Sequence, residues 1–274
     1  MSKTSRKQLT FISFNFIYLL NVVTIAQNNY VDRVCDNDYT YIVNGTFRTN
    51  LDKTLADLPT TNSGHGFFNS SSGEYPHTAY AIGLCRGDHT DQIACGSCLD
   101  TSIVKLRNVC PKQKDASVYY DNCMVKYSYD VILYRNSQKH FNIHNSTIYS
   151  KDVFGFNRSA LGLVKNLTIK AAAGGPLLKY AAGTTPQPNL TMIYGFVQCT
   201  PDLTEQQCSN CLDDAVSRIG SCCFGKLGVR VLLPKCNLRY ENYRFYDDRV
   251  IVSTPTPTCQ GTYFVISDYI FLTV

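Results

Sequence analysis

The chain has 274 residues, 13 of them cysteine, with 44% hydrophobic residues and a formal net charge of +5. That hydrophobic share excludes general disorder, and the length suits two ordinary domains or one large one. Three of the cations (Lys3, Arg6, Lys7) fall in the first seven residues. The rest of the chain carries about +2, too little and too scattered to point to nucleic acid or an anionic membrane surface.

Residues 1–26 read as a signal peptide: a basic start, an apolar run from Phe11 to Ile25, and small residues at Thr24-Ile25-Ala26. The run is too short and too polar for a good membrane span, and a buried N-terminal helix is the alternative. Secretion is the expectation, and six N-x-S/T sequons at Asn44, Asn69, Asn145, Asn157, Asn166 and Asn189 agree with it. Any that carry glycan must lie on exposed surface.

Within 47–58, Phe47, Leu51, Leu55 and Leu58 share one face and predict a helix. Segment 78–84 alternates as a strand, a second helix starts near Asp91, and 117–127 reads as another strand. Residues 158–173 repeat the first helical pattern, and the Gly/Pro/Ala-rich 171–190 reads as a connection. Segment 190–198 reads as a strand. A helix begins at Thr204, where T-x-x-Q to Gln207 makes a capping box, and strands follow at 228–234 and 238–246. The tail, 253–274, carries TPTPT, Cys259 and a short apolar end with an aspartate inside, too short to span a bilayer.

Cysteine spacing organises these elements. Cys95, Cys98, Cys110 and Cys123 recur at Cys208, Cys211, Cys223 and Cys236, all at an offset of 113, and Cys85 maps to Cys199 with a slip of one. The chain is therefore a tandem of two homologous units, 27–138 and 139–252, each α+β, with two helices packed on one face of an antiparallel sheet.

Each unit carries a C-x-x-C that invites a zinc or redox reading. Neither unit offers a second C-x-x-C or a His pair at zinc spacing, so no metal or other cofactor is expected. In an oxidising compartment nearby thiols pair, and a disulfide scaffold is the better reading; an extracellular thiol-redox protein is the distant alternative. No G-x-S-x-G, H-E-x-x-H or P-loop is present, and no enzyme is expected.

The stretches CTPDLTEQQCSNCL and CCFGKLGVRVLLPKCNLRYENYRFY resemble the plant cysteine-rich repeat secretory proteins, built from ginkbilobin-homologous (stress-antifungal) domains. The resemblance implies a five-stranded antiparallel sheet crossed by two helices and stapled by three disulfides per unit. It implies Cys35–Cys110, Cys85–Cys95, Cys98–Cys123, Cys199–Cys208 and Cys211–Cys236. Spacing alone leaves 15 pairings for six cysteines. Offset 113 from Cys35 points near Ile148 and Tyr149, so Cys223 lacks the partner the family would supply. Cys222, Cys223 and Cys259 are left, and nothing in the sequence chooses among them.

The family's antifungal founder is similar to a mannose-binding lectin. That implies a sugar contact at Arg230 and Glu241 in unit two and at Asp36 in unit one, where Ser117 and Ser128 replace the other two. A guanidinium donates to, and a carboxylate accepts from, sugar hydroxyls. A cross-strand Arg230–Glu241 salt bridge is the structural alternative. The functional expectation is a secreted, non-enzymatic binding module of the plant extracellular space (apoplast), recognising mannose-type glycans in defence or acting in signalling. The alternative is an interaction protein whose tandem units present a surface to a cell-surface or apoplastic protein. STPTPTC resembles the linker of receptor forms of the family, and the chain is expected to have no stable membrane span.

Overall fold

A computed structural model describes residues 29–247 except 62–64, 90, 135–140, 176–177 and 188–190. The expected leader over 1–26, the tail with Cys259 and the Asn189 sequon lie outside the described residues.

Unit one runs β1 (Tyr30–Cys35), α1 (Thr46–Asp57), a 3-10 turn (Leu58–Thr60), β2 (Phe67–Ser72), β3 (Ala79–Cys85), α2 (Gln92–Val109), β4 (Ala116–Tyr120) and β5 (Cys123–Ser128). Unit two runs β6 (Asn142–Asn145), α3 (Val153–Ala173), β7 (Lys179–Pro186), β8 (Met192–Cys199), α4 (Glu205–Cys222), β9 (Val229–Leu232) and β10 (Cys236–Glu241). The strands form two antiparallel five-stranded sheets, ordered β1-β4-β5-β3-β2 and β6-β9-β10-β8-β7. The two orders superimpose under the repeat.

Local sequence explains most of the boundaries. Asp91 caps α2 by accepting from the backbone N–H of Ile93 and Ala94, and Asp152 caps α3 through Gly155. At α4, Gln207 N–H donates to Thr204 Oγ1 (3.2 Å) while Thr204 N–H donates to Gln207 Oε1 (2.9 Å). That reciprocal pair satisfies two of the N–H groups a helix start leaves orphaned. Phe47, Leu51 and Leu55 on α1 are buried against the sheet, as the 3.6-residue period requires.

Three expected segments differ. The 117–127 strand is two strands, because Asp121 and Asn122 turn the chain between β4 and β5. The 171–190 connection contains the last turn of α3 and all of β7. β7 escapes a periodicity search because it is an edge strand, KYAAGTTP, with small residues where a central strand would alternate. The strand expected over 238–246 ends at Glu241, and the chain beyond folds back so that Tyr246 Oη donates to Gly183 O at 2.7 Å.

Six disulfides are present among the described residues: Cys35–Cys110, Cys85–Cys95, Cys98–Cys123, Cys199–Cys208, Cys211–Cys236 and Cys222–Cys223. The two thiols of each C-x-x-C bond to different partners. A chain-entropy argument gives Cys35–Cys110, with a separation of 75, about 4.5 kcal/mol, against about 2.5 for the separations of 9 and 10.

Sheet register corrects where the missing cysteine belongs. Val34 pairs with Ser117, and His144 pairs with Arg230, the repeat counterpart of Ser117. Cys35 therefore corresponds to Asn145, three residues before the position that a constant offset gives. Cys223, left without that partner, bonds to its neighbour Cys222 at the end of α4.

The sequons divide by burial. Asn44, Asn145 and Asn166 are exposed and Asn69 on β2 is half-buried, but Asn157 is buried on the sheet-facing side of α3, 9% exposed. A used sequon must project into solvent, so the burial of Asn157 argues against a glycan there. Peptide mapping after enzymatic deglycosylation in heavy-oxygen water is expected to label Asn44, Asn145 and Asn166 and leave Asn157 unlabelled.

Between the units, the helix-free face of the first sheet meets the second. Phe67, Ile82, Leu84, Tyr119, Met124 and Ile132 of unit one form a buried cluster that Leu232 of unit two enters. Among the described residues no helix is long and apolar enough to cross a membrane.

Candidate functional site

Arg230 sits on β9 and Glu241 on β10, both on the helix-free face, because the alternate residues Val229, Val231, Leu238 and Tyr240 enter the helix-side core. Arg239 is the register partner of Arg230, so two guanidiniums lie side by side across the strand pair. Like charges placed so are stable only with an anion between them.

That anion is Asp121 of unit one. Arg230 Nη1 donates to Asp121 Oδ1 at 2.6 Å and Nη2 reaches the Asp121 carbonyl at 3.4 Å. Arg239 Nη1 adds a longer contact to the same Oδ1, 3.5 Å. Arg86 completes the enclosure, donating to the Asp121 carbonyl at 3.2 Å and forking onto Asp88 at 2.6 and 2.9 Å. Close by, Gln198 Nε2 donates to Cys85 O (3.0 Å), and Asn142 Nδ2 to Asp32 Oδ2 (2.7 Å).

Glu241 does not pair with Arg230. It accepts from Arg239 Nε at 2.9 Å, and its carboxylate lies over Gly228, where an added Cβ would fall 1.9 Å from Oε2. The cross-strand bridge expected as the structural alternative is thus replaced by one bridge between units and one along β10. Asp36 is buried at the far end of β1, its Oδ1 accepting from Asp38 N–H at 2.9 Å. It lies beside Asp115, whereas Arg230 reaches Asp121 at the other end of β4, roughly 20 Å away at strand rise. The structure therefore does not assemble Asp36 with Arg230 and Glu241.

The electrostatics follow from this packing. Burial opposes ionisation of Asp121, but the Arg230 and Arg239 guanidiniums outweigh it and hold the carboxyl below its ordinary range. Burial pushes Glu241 upward, with Arg239 only partly offsetting it. Arg230, only 9% exposed at its side chain, is pushed down by burial and then by Arg239, and its Nε has no partner among the described residues. A buried guanidinium already held by a carboxylate has little left to offer a sugar hydroxyl.

Asp121 and Arg239 were not among the residues expected from sequence. Arg239 lies inside the RYENYRFY stretch and could have been found by asking which strand residue faces Arg230. Asp121 carried no signal, since it has no repeat counterpart and its partner is 109 positions away.

Comparison with known proteins places the chain. The family model described as salt stress response/antifungal matches twice, at residues 34–130 and 142–243. A putative cysteine-rich repeat secretory protein 21 of Arabidopsis thaliana is 34% identical over 241 residues, covering 86% of this chain and 93% of that one. Cysteine-rich receptor-like protein kinase 29 of the same plant is 38% identical over 232 residues, covering 82% of this chain and 34% of the kinase. The chain spans about a third of the length of cysteine-rich receptor-like protein kinases 29 and 26. Among solved structures, the tandem DUF26 ectodomain of the Arabidopsis thaliana cysteine-rich receptor-like protein PDLP8 superimposes with TM-score 0.68 at 21% identity, over 78% of this chain and 98% of that one. That of PDLP5 gives 0.58 at 24%, with the same coverage.

Proposed function

Because the chain belongs to the salt stress response/antifungal (DUF26) family, with two such domains in tandem, we propose that it is a non-enzymatic extracellular recognition module whose two units act as one rigid body. Its relatives include secretory proteins and extracellular ectodomains, and its disulfides suit an oxidising compartment. An N-terminal leader over residues 1–26 would bring it there.

The observation that carries the reading is the buried Arg230–Asp121 bridge. It ties the two units together with the guanidinium that the family resemblance would place on mannose. This favours a protein partner over a glycan at that position. A second feature agrees: Ile148 (62% exposed), Tyr149, Phe154 (76%) and Phe224 form an exposed apolar surface at one end of unit two, with Phe154 and Phe224 rings 5.5 Å apart. Exposed apolar patches and aromatic enrichment are features of protein interfaces.

The test is a paired screen of the wild-type chain against secreted and receptor ectodomains and against a glycan array. The reading expects at least one ectodomain partner whose affinity falls tenfold or more in Phe154→Asp, and no glycan whose binding depends on Arg230 or Glu241. Mannose-type binding lost in both Arg230→Ala and Glu241→Ala would establish the glycan reading instead.

A further inference from the structure

A cavity of 660 Å³ opens where the two units meet, away from the Arg230 cluster. Unit one contributes Phe67, Leu133 and Tyr134, and unit two contributes Ala172, Leu203 and Lys179. The size and the mainly apolar walls suit a small organic molecule, and domain junctions are where such sites concentrate.

Lys179 sets the chemistry. It begins β7, and its side chain runs back under the end of α3, where Nζ donates to the carbonyls of Ala172 and Gly174, each at 3.0 Å. The residue is only 5% exposed, yet it has no carboxylate ion-pair partner among the described residues. The two carbonyls take two of the three N–H groups of the ammonium. A buried cation of this kind calls for an anion. Of the acidic groups on the wall, Asp202 is already neutralised by Lys235, and Glu205 is exposed at the rim. Burial lowers the Lys179 pKa, with Glu205 opposing it, so a bound anion would relieve a cost the fold already carries.

We propose that this inter-unit cavity binds a small amphipathic carboxylate, its apolar body against Phe67, Leu133 and Leu203 and its carboxylate on Lys179 Nζ. A single buried ammonium at the end of an apolar wall suits a monoanionic acid. A sugar would need several polar groups around a ring.

Isothermal titration of the full chain with 2-naphthoate and with its uncharged isostere 2-naphthamide tests the proposal. The acid is expected to bind one per chain and at least tenfold more tightly than the amide. Lys179→Arg should keep that preference and Lys179→Met should erase it. Ala173→Trp, at the exposed rim of the cavity, should block both probes while leaving the fold intact. No heat from either probe at millimolar concentration, equal affinities for acid and amide, or acid binding that survives Ala173→Trp would overturn it. If Lys179→Met fails to fold, the acid-to-amide ratio of the wild type and the Ala173→Trp result decide.

Discussion

Lys235→Met is expected to lower the unfolding free energy by about 3–5 kcal/mol, the cost of leaving one member of a buried ion pair alone. Lys235 lies in the turn between β9 and β10 and is among the most deeply buried side chains, 2% exposed. Its Nζ is bonded to Asp202 Oδ2 and, at 3.3 Å, to the Ile132 carbonyl of unit one. Asp202 in turn accepts from Tyr134 N–H at 2.7 Å, so one lysine and one aspartate pin the segment that leaves unit one onto unit two. Burial lowers the Lys235 pKa, while Asp202 works against that and keeps the ammonium favourable. Met preserves the length of the stem and removes only the charge, which strands the Asp202 carboxylate in the interior. Chemical denaturation with the disulfides intact measures the loss. Lys165→Met, on an exposed turn of α3, is the control and should stay within about 0.5 kcal/mol. Adding Asp202→Asn to Lys235→Met should recover most of the loss, because the amide oxygen can still accept from Tyr134. A single-variant cost below about 1 kcal/mol would remove this pair from the joint.

Asp121→Asn is expected to cost about 2–3 kcal/mol, below the range for a fully buried pair because Asp121 is 28% exposed and solvent screens part of the interaction. The substitution leaves Arg230 without a carboxylate partner beside Arg239, whose remaining anion is Glu241. The effect has a defined pH dependence. The folded-state pKa of Asp121 is depressed, so its contribution is fully present above the unfolded value near 3.9 and is lost as pH falls through the lower, folded value. The stability gap between wild type and Asp121→Asn should therefore be constant above about pH 5 and close under more acid conditions.

How far the sequence could be read follows from how local each signal is. The tandem, the helix starts at Asp91 and Thr204, and the helical face through Phe47, Leu51 and Leu55 were legible because each rests on residues within a few positions of one another. β7 was not, since an edge strand needs no alternating apolar residues. The counterpart of Cys35 was misplaced because a constant offset ignores the shorter link into β6, and only sheet register puts Asn145 there. The surroundings of the candidate site were hidden for a deeper reason. The resemblance points to Arg230 and Glu241, but what Arg230 touches depends on Asp121, brought in by packing one unit on the other. No periodicity or spacing rule reports a contact across 109 residues.

Arg230 is the clasp between the units, and a double-mutant cycle measures it. Arg230→Ala, Asp121→Ala and the double variant are unfolded by denaturant at pH 7, with all disulfides intact. A clasp gives a favourable coupling of about 1–3 kcal/mol between the two positions, together with a glycan-array profile unchanged by either substitution. Additive effects, with coupling below about 0.5 kcal/mol and a glycan signal that disappears with Arg230→Ala, would contradict it.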